Sequence, residues 1–178
     1  LFTSGFVFPS SLTITPDSET EGVGTYFDDA ADDPAIWFNN NNPDQSLVFG
    51  TDKKQGIYTY SIKGKTLNFS ELGSINNIDL RCHNDQLHVV VSNRTTNMLE
   101  YWIFEKDIYS TFTNYDNPFT KAKIHKIFDP EMSVYGICMG VVNNQLMALL
   151  TEEEGPKIQL WNLDDGFIHQ ETNINEFE

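Results

Sequence analysis

Short apolar runs broken by Asn, Asp, Gly and Lys turns dominate the chain, and helical periodicity is almost absent. Ser46 to Thr51, Gly56 to Ile62 and Leu67 to Leu72 are rich in β-branched and aromatic residues and bounded by turn residues, so each predicts a short strand. One unit recurs: an Asn/Asp-Gln turn, an apolar strand and a polar terminus. Its copies run from Asp44 to Asp52, from Asn84 to Asn93 and from Asn144 to Glu152. Each is followed by an aromatic-bearing strand, around Tyr60, Trp102 and Trp161. Each is preceded by a strand with a polar or aromatic head, namely Asp33-Pro34-Ala35-Ile36-Trp37, Asn77-Ile78-Asp79-Leu80-Arg81 and Tyr135-Gly136-Ile137-Cys138.

Recurrent four-stranded units of this kind are the signature of propeller blades. The fold class is therefore all-β, a single partial β-propeller with about three four-stranded blades spanning residues 30–73, 74–130 and 131–178. Phe167 to Ile174 reads as the outer strand of the third blade, and Leu12 to Thr15 as a strand that completes the last blade of a full ring. Three blades cannot close on themselves, so the chain is expected to be part of a larger ring or to pair with a second copy. The long connection from Phe104 to Lys126 carries Tyr109, Phe112, Tyr115 and Phe119 and is expected to cover an exposed flank. Ala35-Ile36-Trp37-Phe38 reads as a buried strand.

Charge narrows the function. The net charge of -15, with only eleven Lys and Arg, argues against nucleic acid, whose phosphates need a basic face. No apolar run approaches a membrane-spanning length. The first residues, Leu1 to Pro9, lack an initiator Met and a basic leader and read as the start of a trimmed or mature chain. Between Thr25 and Trp37 two acidic pairs, Asp28-Asp29 and Asp32-Asp33, lead straight into a strand. Carboxylates that close repel one another unless water solvates them or a hard cation sits among the oxygens. A cation would also reconcile an acidic chain with an anionic substrate.

Seven stretches in register carry a resemblance: Glu19-Thr20-Glu21, Asp29 to Trp37, Gly50 to Gly56 leading into Tyr58-Thr59-Tyr60, Gly64-Lys65, Ile75 to Arg81, Val91 to Thr95, and Val134 to Ile137. Together they make the chain resemble the β-propeller phytases, secreted calcium-dependent enzymes that strip phosphate from inositol hexakisphosphate (phytate). The resemblance runs from about Thr13 to Leu163 and implies a six-bladed ring of which this chain looks like the N-terminal half or an incomplete copy. It implies a 3-phytase-like phosphomonoesterase that is secreted or periplasmic, with Ca2+ as cofactor and phytate as substrate. Lys53, Arg94 and Tyr135 match the family's catalytic positions, and Lys53, Lys54 and Arg94 its phosphate contacts. Asp32, Asp33, Asn76, Asn77 and the Ile78 carbonyl match its calcium-binding segments, with Glu19 a further acidic position. For Asn76-Asn77 an ordinary turn with Asx hydrogen bonds is the competing reading, and for a lysine at a turn, plain solvation.

Departures from the family pattern matter as well. Where the family carries Gly-Lys-Glu-Gly, this chain reads Glu152-Glu153-Glu154-Gly155, so Glu153 replaces a phosphate-holding lysine. The tyrosine that usually follows the Asn-Asn-Val-Asp-x-Arg segment is Cys82. The remaining acidic ligands and the general acid belong to the family's second half, so the chain alone is expected to hold half a site and to be weak or inactive. Cys82 and Cys138, on inner strands of neighbouring blades, are expected either to pair or to be buried free thiols. His83, His88, His125 and His169 lack metal-ligand spacing. Three functions follow: half of a calcium-phosphate active site, a non-catalytic propeller module binding phytate with calcium, or an interaction propeller with a protein partner.

Overall fold

The computed structural model describes residues 13–25, 29–105 and 107–174. Among the described residues twelve strands form three antiparallel four-stranded sheets. The first contains β1 (Ala31–Trp37), β2 (Leu47–Asp52), β3 (Gly56–Ser61) and β4 (Thr66–Glu71). The second contains β5 (Ile75–His83), β6 (Gln86–Asn93), β7 (Met98–Phe104) and β8 (Ile124–Phe128). The third contains β9 (Val134–Val142), β10 (Gln145–Glu152), β11 (Lys157–Asn162) and β12 (Phe167–Asn173). Within each sheet the strands lie in chain order, and the first strands of successive sheets approach each other, β1 against β5 and β5 against β9. Sheets stacked face to face, with their first strands gathered on one side, are consecutive blades of a β-propeller.

The turns follow from their residues. Asn84-Asp85 and Asn143-Asn144 join the first and second strands of blades two and three with both residues at positive φ. That is the two-residue hairpin turn whose twist matches the strands, and Asn and Asp tolerate it better than other side chains. In blade one the same connection is longer and holds a short 3-10 turn at Pro43–Gln45.

Two apolar seams hold the blades together. Ala35, Leu47, Phe49 and Ile57 of blade one meet Leu87, Val89, Val91 and Trp102 of blade two. Val90, Leu99, Tyr101 and Ile103 of blade two meet Val134, Leu146, Ala148, Leu150 and Trp161 of blade three. The central strand β6 faces both seams, so its apolar run is continuous rather than alternating, and Leu87 to Asn93 are all buried.

Several expectations need correction. The Phe104 to Lys126 connection folds into helix α1 (Ile108–Asn114) and a 3-10 turn at Pro118–Lys121. Its aromatics do not cover a flank; they plug the first seam. Phe112 packs edge-on against Phe49 at 4.9 Å and Phe119 against Trp102 at 5.0 Å, both geometries favoured by the ring quadrupole. Only Tyr115 of the four is exposed. The run Ala35 to Phe38 is not a buried strand: Ile36 in β1 and Phe38 just after it are each 56% exposed. As an inner strand it turns only Ala35 and part of Trp37 into the apolar seam, and Pro34 lies in a pocket with Val48, Gly50 and Tyr60 of its own blade. Cys82 and Cys138 also lie on inner strands and are free and exposed, neither paired nor buried. Residues 13–15 run irregularly rather than as a strand, while Leu12 and the segment Leu1 to Pro9 lie outside the described residues.

Candidate functional site

The polar terminus of each repeat does the same structural work three times. The hydroxyls of Thr51, Ser92 and Thr151 accept the backbone N–H of Asp33, Asn77 and Gly136 at 2.9, 3.2 and 3.0 Å. These N–H groups are freed by register shifts between the first and second strands of each blade. Thr51 and Ser92 then donate to the next blade, to the Asn76 carbonyl at 3.1 Å and the Tyr135 carbonyl at 2.5 Å. Thr151 has no such neighbour among the described residues and donates back to Gly136 at 3.4 Å. Two residues further on, the N–H groups of Lys53, Arg94 and Glu153 donate to the carbonyls of Ala30, Ser74 and Ser133 at 2.9, 2.8 and 2.9 Å. Three equivalent positions on one rim therefore carry Lys53, Arg94 and Glu153.

Between them opens a cleft of ≈ 370 Å³ lined by Lys53, Lys54, Arg94 and Glu153 together with Ser74, Ser133 and Asn97. Lys53 donates to Asp29 at 2.7 Å. That hydrogen bond, and then the nearby charge of Asp32, hold the Lys53 ammonium above its ordinary pKa. Arg94 forms an ion pair with Glu153, and its guanidinium lies 5.9 Å from the centre of the Tyr135 ring. Tyr135, at the head of β9, is 46% exposed and so open to a ligand in the channel. A cleft with two lysines and an arginine on one side suits phosphoryl oxygens.

The oxygen-bearing candidates lie at the same end. Asp33 Oδ2 accepts the Ile78 N–H at 3.1 Å, which ties β1 to β5. Asn77 Oδ1 accepts from the Asn76 amide at 2.7 Å, and the buried Asn76 gives its carbonyl to Thr51. Asp32 is exposed beside Lys53. Carboxylate and amide oxygens without His or Cys suit a hard cation such as calcium. Among the described residues, however, no three His, Cys, Asp or Glu side chains form a metal-holding group. The carboxylates of Asp32 and Asp33 and the amide oxygen of Asn77 are fewer oxygens than the about six to eight that a calcium ion takes.

Glu19 is not brought to this end. Its carbonyl lies where a Cβ on Gly64 would be, 1.8 Å away, and Gly64 has φ +82, so only glycine fits this turn. Gly64 sits beyond Ser61, which pairs with Leu47, whereas Asp52 pairs with both Ala31 and Gly56 at the other end of the sheet. The segment from Ser18 to Thr25 climbs the face of blade one, from the Ile62 carbonyl to the Asp52 carboxylate. The contributions of Ser74, Ser133 and Asn97 to the cleft went unread in sequence. Ser74 and Ser133, each directly before its blade's first strand, were the available signal.

Comparison with known proteins bears on this arrangement. The chain matches the family described as Phytase over residues 8–169. It is 31% identical over 169 residues to the 3-phytase of Bacillus subtilis (strain 168), an alignment that takes in 86% of this chain and 41% of that protein. The chain thus spans less than half the length of that curated relative. Among solved structures, the WD40 β-propeller domain of Doa1 shares 12% identity at a TM-score of 0.44, over 73% of this chain and 37% of that one. A protein of unknown function from Bacteroides caccae shares 11% at 0.45, over 83% and 47%. With the family match running over nearly all of its length, this three-bladed chain belongs to the phytase family.

Proposed function

We propose that the rim cleft is part of a calcium-dependent site for hydrolysis of phosphomonoesters of inositol hexakisphosphate. One observation carries the reading: Lys53, Lys54 and Arg94 converge on one cleft, with the charge of Asp32 close to Lys53. In such a hydrolysis water attacks phosphorus, the ester P–O bond breaks, and the leaving oxygen takes a proton; the protein's main contribution is positioning and charge neutralisation. Lys53, Lys54 and Arg94 would hold the phosphoryl oxygens. Tyr135 would fix the Arg94 plane and face the ester. Asp32 and Asp33, with Asn77, would hold calcium, which when bound supplies positive charge next to the phosphate.

The Arg94–Glu153 pair favours a second reading, a module that binds phytate with calcium without turning it over, because a carboxylate occupies one of the three equivalent rim positions. Calorimetry with calcium and then phytate, paired with a phosphate-release assay, separates the two. Calcium-dependent binding with release supports the enzyme, and binding without release supports the module. No calcium uptake and no phytate binding would leave an interaction propeller. Arg94→Ala should weaken phytate binding at least about tenfold, the worth of a charge-assisted contact. The fold should survive it, since the Arg94–Glu153 pair is partly exposed. The outward face of blade three, with Leu149, Phe167 and Ile168 exposed, supports a ring completed by further blades or by a second copy.

A further inference from the structure

Resting on the reading of the rim cleft as a phosphate site, we infer that Glu100 is a positioning residue for Arg94, acting through Asn93. Arg94 leaves β6 in a turn that Asn93 builds. The Asn93 Oδ1 accepts the N–H groups of Thr95 and Thr96 at 3.0 and 3.4 Å. Its amide nitrogen donates to the Leu72 carbonyl at 3.0 Å and to Glu100 Oε1 at 2.7 Å. A carbonyl and an ionised carboxylate only accept, so together they hold the amide with its nitrogen towards them and its oxygen towards the turn. Arg94 is then clamped from both sides. Its own N–H reaches the Ser74 carbonyl at 2.8 Å, and the Thr95 hydroxyl accepts the Ser74 N–H at 2.8 Å.

Glu100 is itself held. Oε1 also takes the Thr96 hydroxyl at 3.4 Å, Oε2 takes His125 Nε2 at 3.0 Å, and the His125 ring stacks on Trp102 at 4.6 Å. Asn93 and Glu100 are only 2% and 7% exposed, and a buried polar network whose members are bonded is stiff. The other blades differ at this place. Opposite the residue that precedes Thr51, Ser92 and Thr151 stand Tyr58, Glu100 and Gln159. Tyr58 accepts the Gly24 N–H, and Gln159 donates to the Pro130 carbonyl. Blade two alone puts a carboxylate there, and it alone carries an arginine at its rim position. A side chain that must be ordered to bind loses less freedom when the main chain carrying it is already fixed. Glu100 does that fixing before a ligand arrives.

The test is calorimetry with myo-inositol hexakisphosphate at one calcium concentration, on the unsubstituted chain, E100Q, E100D, R94A and E100D with R94A together. Glutamine keeps an oxygen within reach of Asn93, and the His125 ring can accept from its amide in the other neutral tautomer. E100Q should therefore bind within about twofold of the unsubstituted chain. Aspartate keeps the charge but falls short of Asn93, so E100D should bind about three- to tenfold more weakly. With Arg94 already removed, E100D should change the affinity by less than about twofold, since residues acting through one another are not additive. A purely structural role gives the same loss with or without Arg94. Fitted affinities do not depend on the fraction of folded protein, and both Glu100 substitutions are conservative. If E100D binds like the unsubstituted chain, or loses the same factor in both backgrounds, the inference is wrong and the phosphate site stands. If R94A binds as tightly as the unsubstituted chain, or no protein binds the probe, the phosphate reading of the cleft falls and the inference falls with it.

Discussion

Asp33 has two jobs in this reading, and substitution can separate them. Its Oδ2 accepts the N–H of Ile78, a residue only 2% exposed, across the junction of blades one and two. Asp33→Ala removes the acceptor and leaves a buried N–H unpaired, which costs about 1–3 kcal/mol. For a chain of this size that lowers the thermal midpoint by roughly 2–12 °C. Asp33→Asn keeps an oxygen at the same reach and should cost less than about 1 kcal/mol, because the neutral acceptor replaces a charged one. It also removes a negative charge from the candidate calcium ligands, so calcium affinity should fall by at least about tenfold. The assay is denaturant unfolding followed by circular dichroism, paired with calcium titration of each folded variant. If Asn destabilises as much as Ala, the hydrogen bond is not what the carboxylate contributes. If Asn leaves calcium uptake unchanged, Asp33 is not a ligand.

Equivalent positions should respond by different amounts where their surroundings differ. Phe49 and Leu149 both point towards the next blade, but Phe49 is 0% exposed and Leu149 36%. Phe49→Ala should cost about 3–5 kcal/mol, whereas Leu149→Ala in the same chain should stay within about 0.5 kcal/mol; equal losses in chemical denaturation would contradict the blade equivalence. His88 supplies a pH test. Burial holds its imidazole below the ordinary histidine pKa, with the ring between the Tyr101 hydroxyl at 2.5 Å and the His83 carbonyl at 3.1 Å. The unfolded chain binds the proton first, so this contribution is complete above about pH 6.5 and is lost as pH falls from there towards the folded pKa. Melting temperatures at pH 7.5 and 5.5 should differ less in His88→Gln than in the unsubstituted chain, and an unchanged difference would exclude His88 as the cause.

Much of the fold was legible because the repeat is local. The apolar strand ending in Thr51-Asp52, Ser92-Asn93 or Thr151-Glu152 announced each second strand, and the aromatics at Tyr60, Trp102 and Trp161 announced each third. Those aromatics prove to be register equivalents, opposite Val48, Val89 and Ala148. What the pattern could not convey was which side of a strand meets another blade. Ala35-Ile36-Trp37-Phe38 has the composition of a buried run, yet an inner strand has only one covered face. The same blindness hid the exposure of Cys82 and Cys138. The aromatics of the long connection announced burial without saying where, since the seam they fill is built from strands distant in sequence. At the site, the order of motifs carried Lys53, Lys54, Arg94, Asp32 and Asp33 to a common end. It could not do so for Glu19, because an irregular segment climbing a sheet meets both ends within a few residues.

Each rim side chain at 53, 94 and 153 projects from a main-chain link that every amino acid except proline can make. Anchoring and chemistry are thus written in separate alphabets, one in peptide groups and one in side chains. If the opening binds the proposed ligand, a single codon change would rewrite what it recognises while the hydrophobic scaffolding underneath stays as it was, and new ligand preferences would lie one mutation apart.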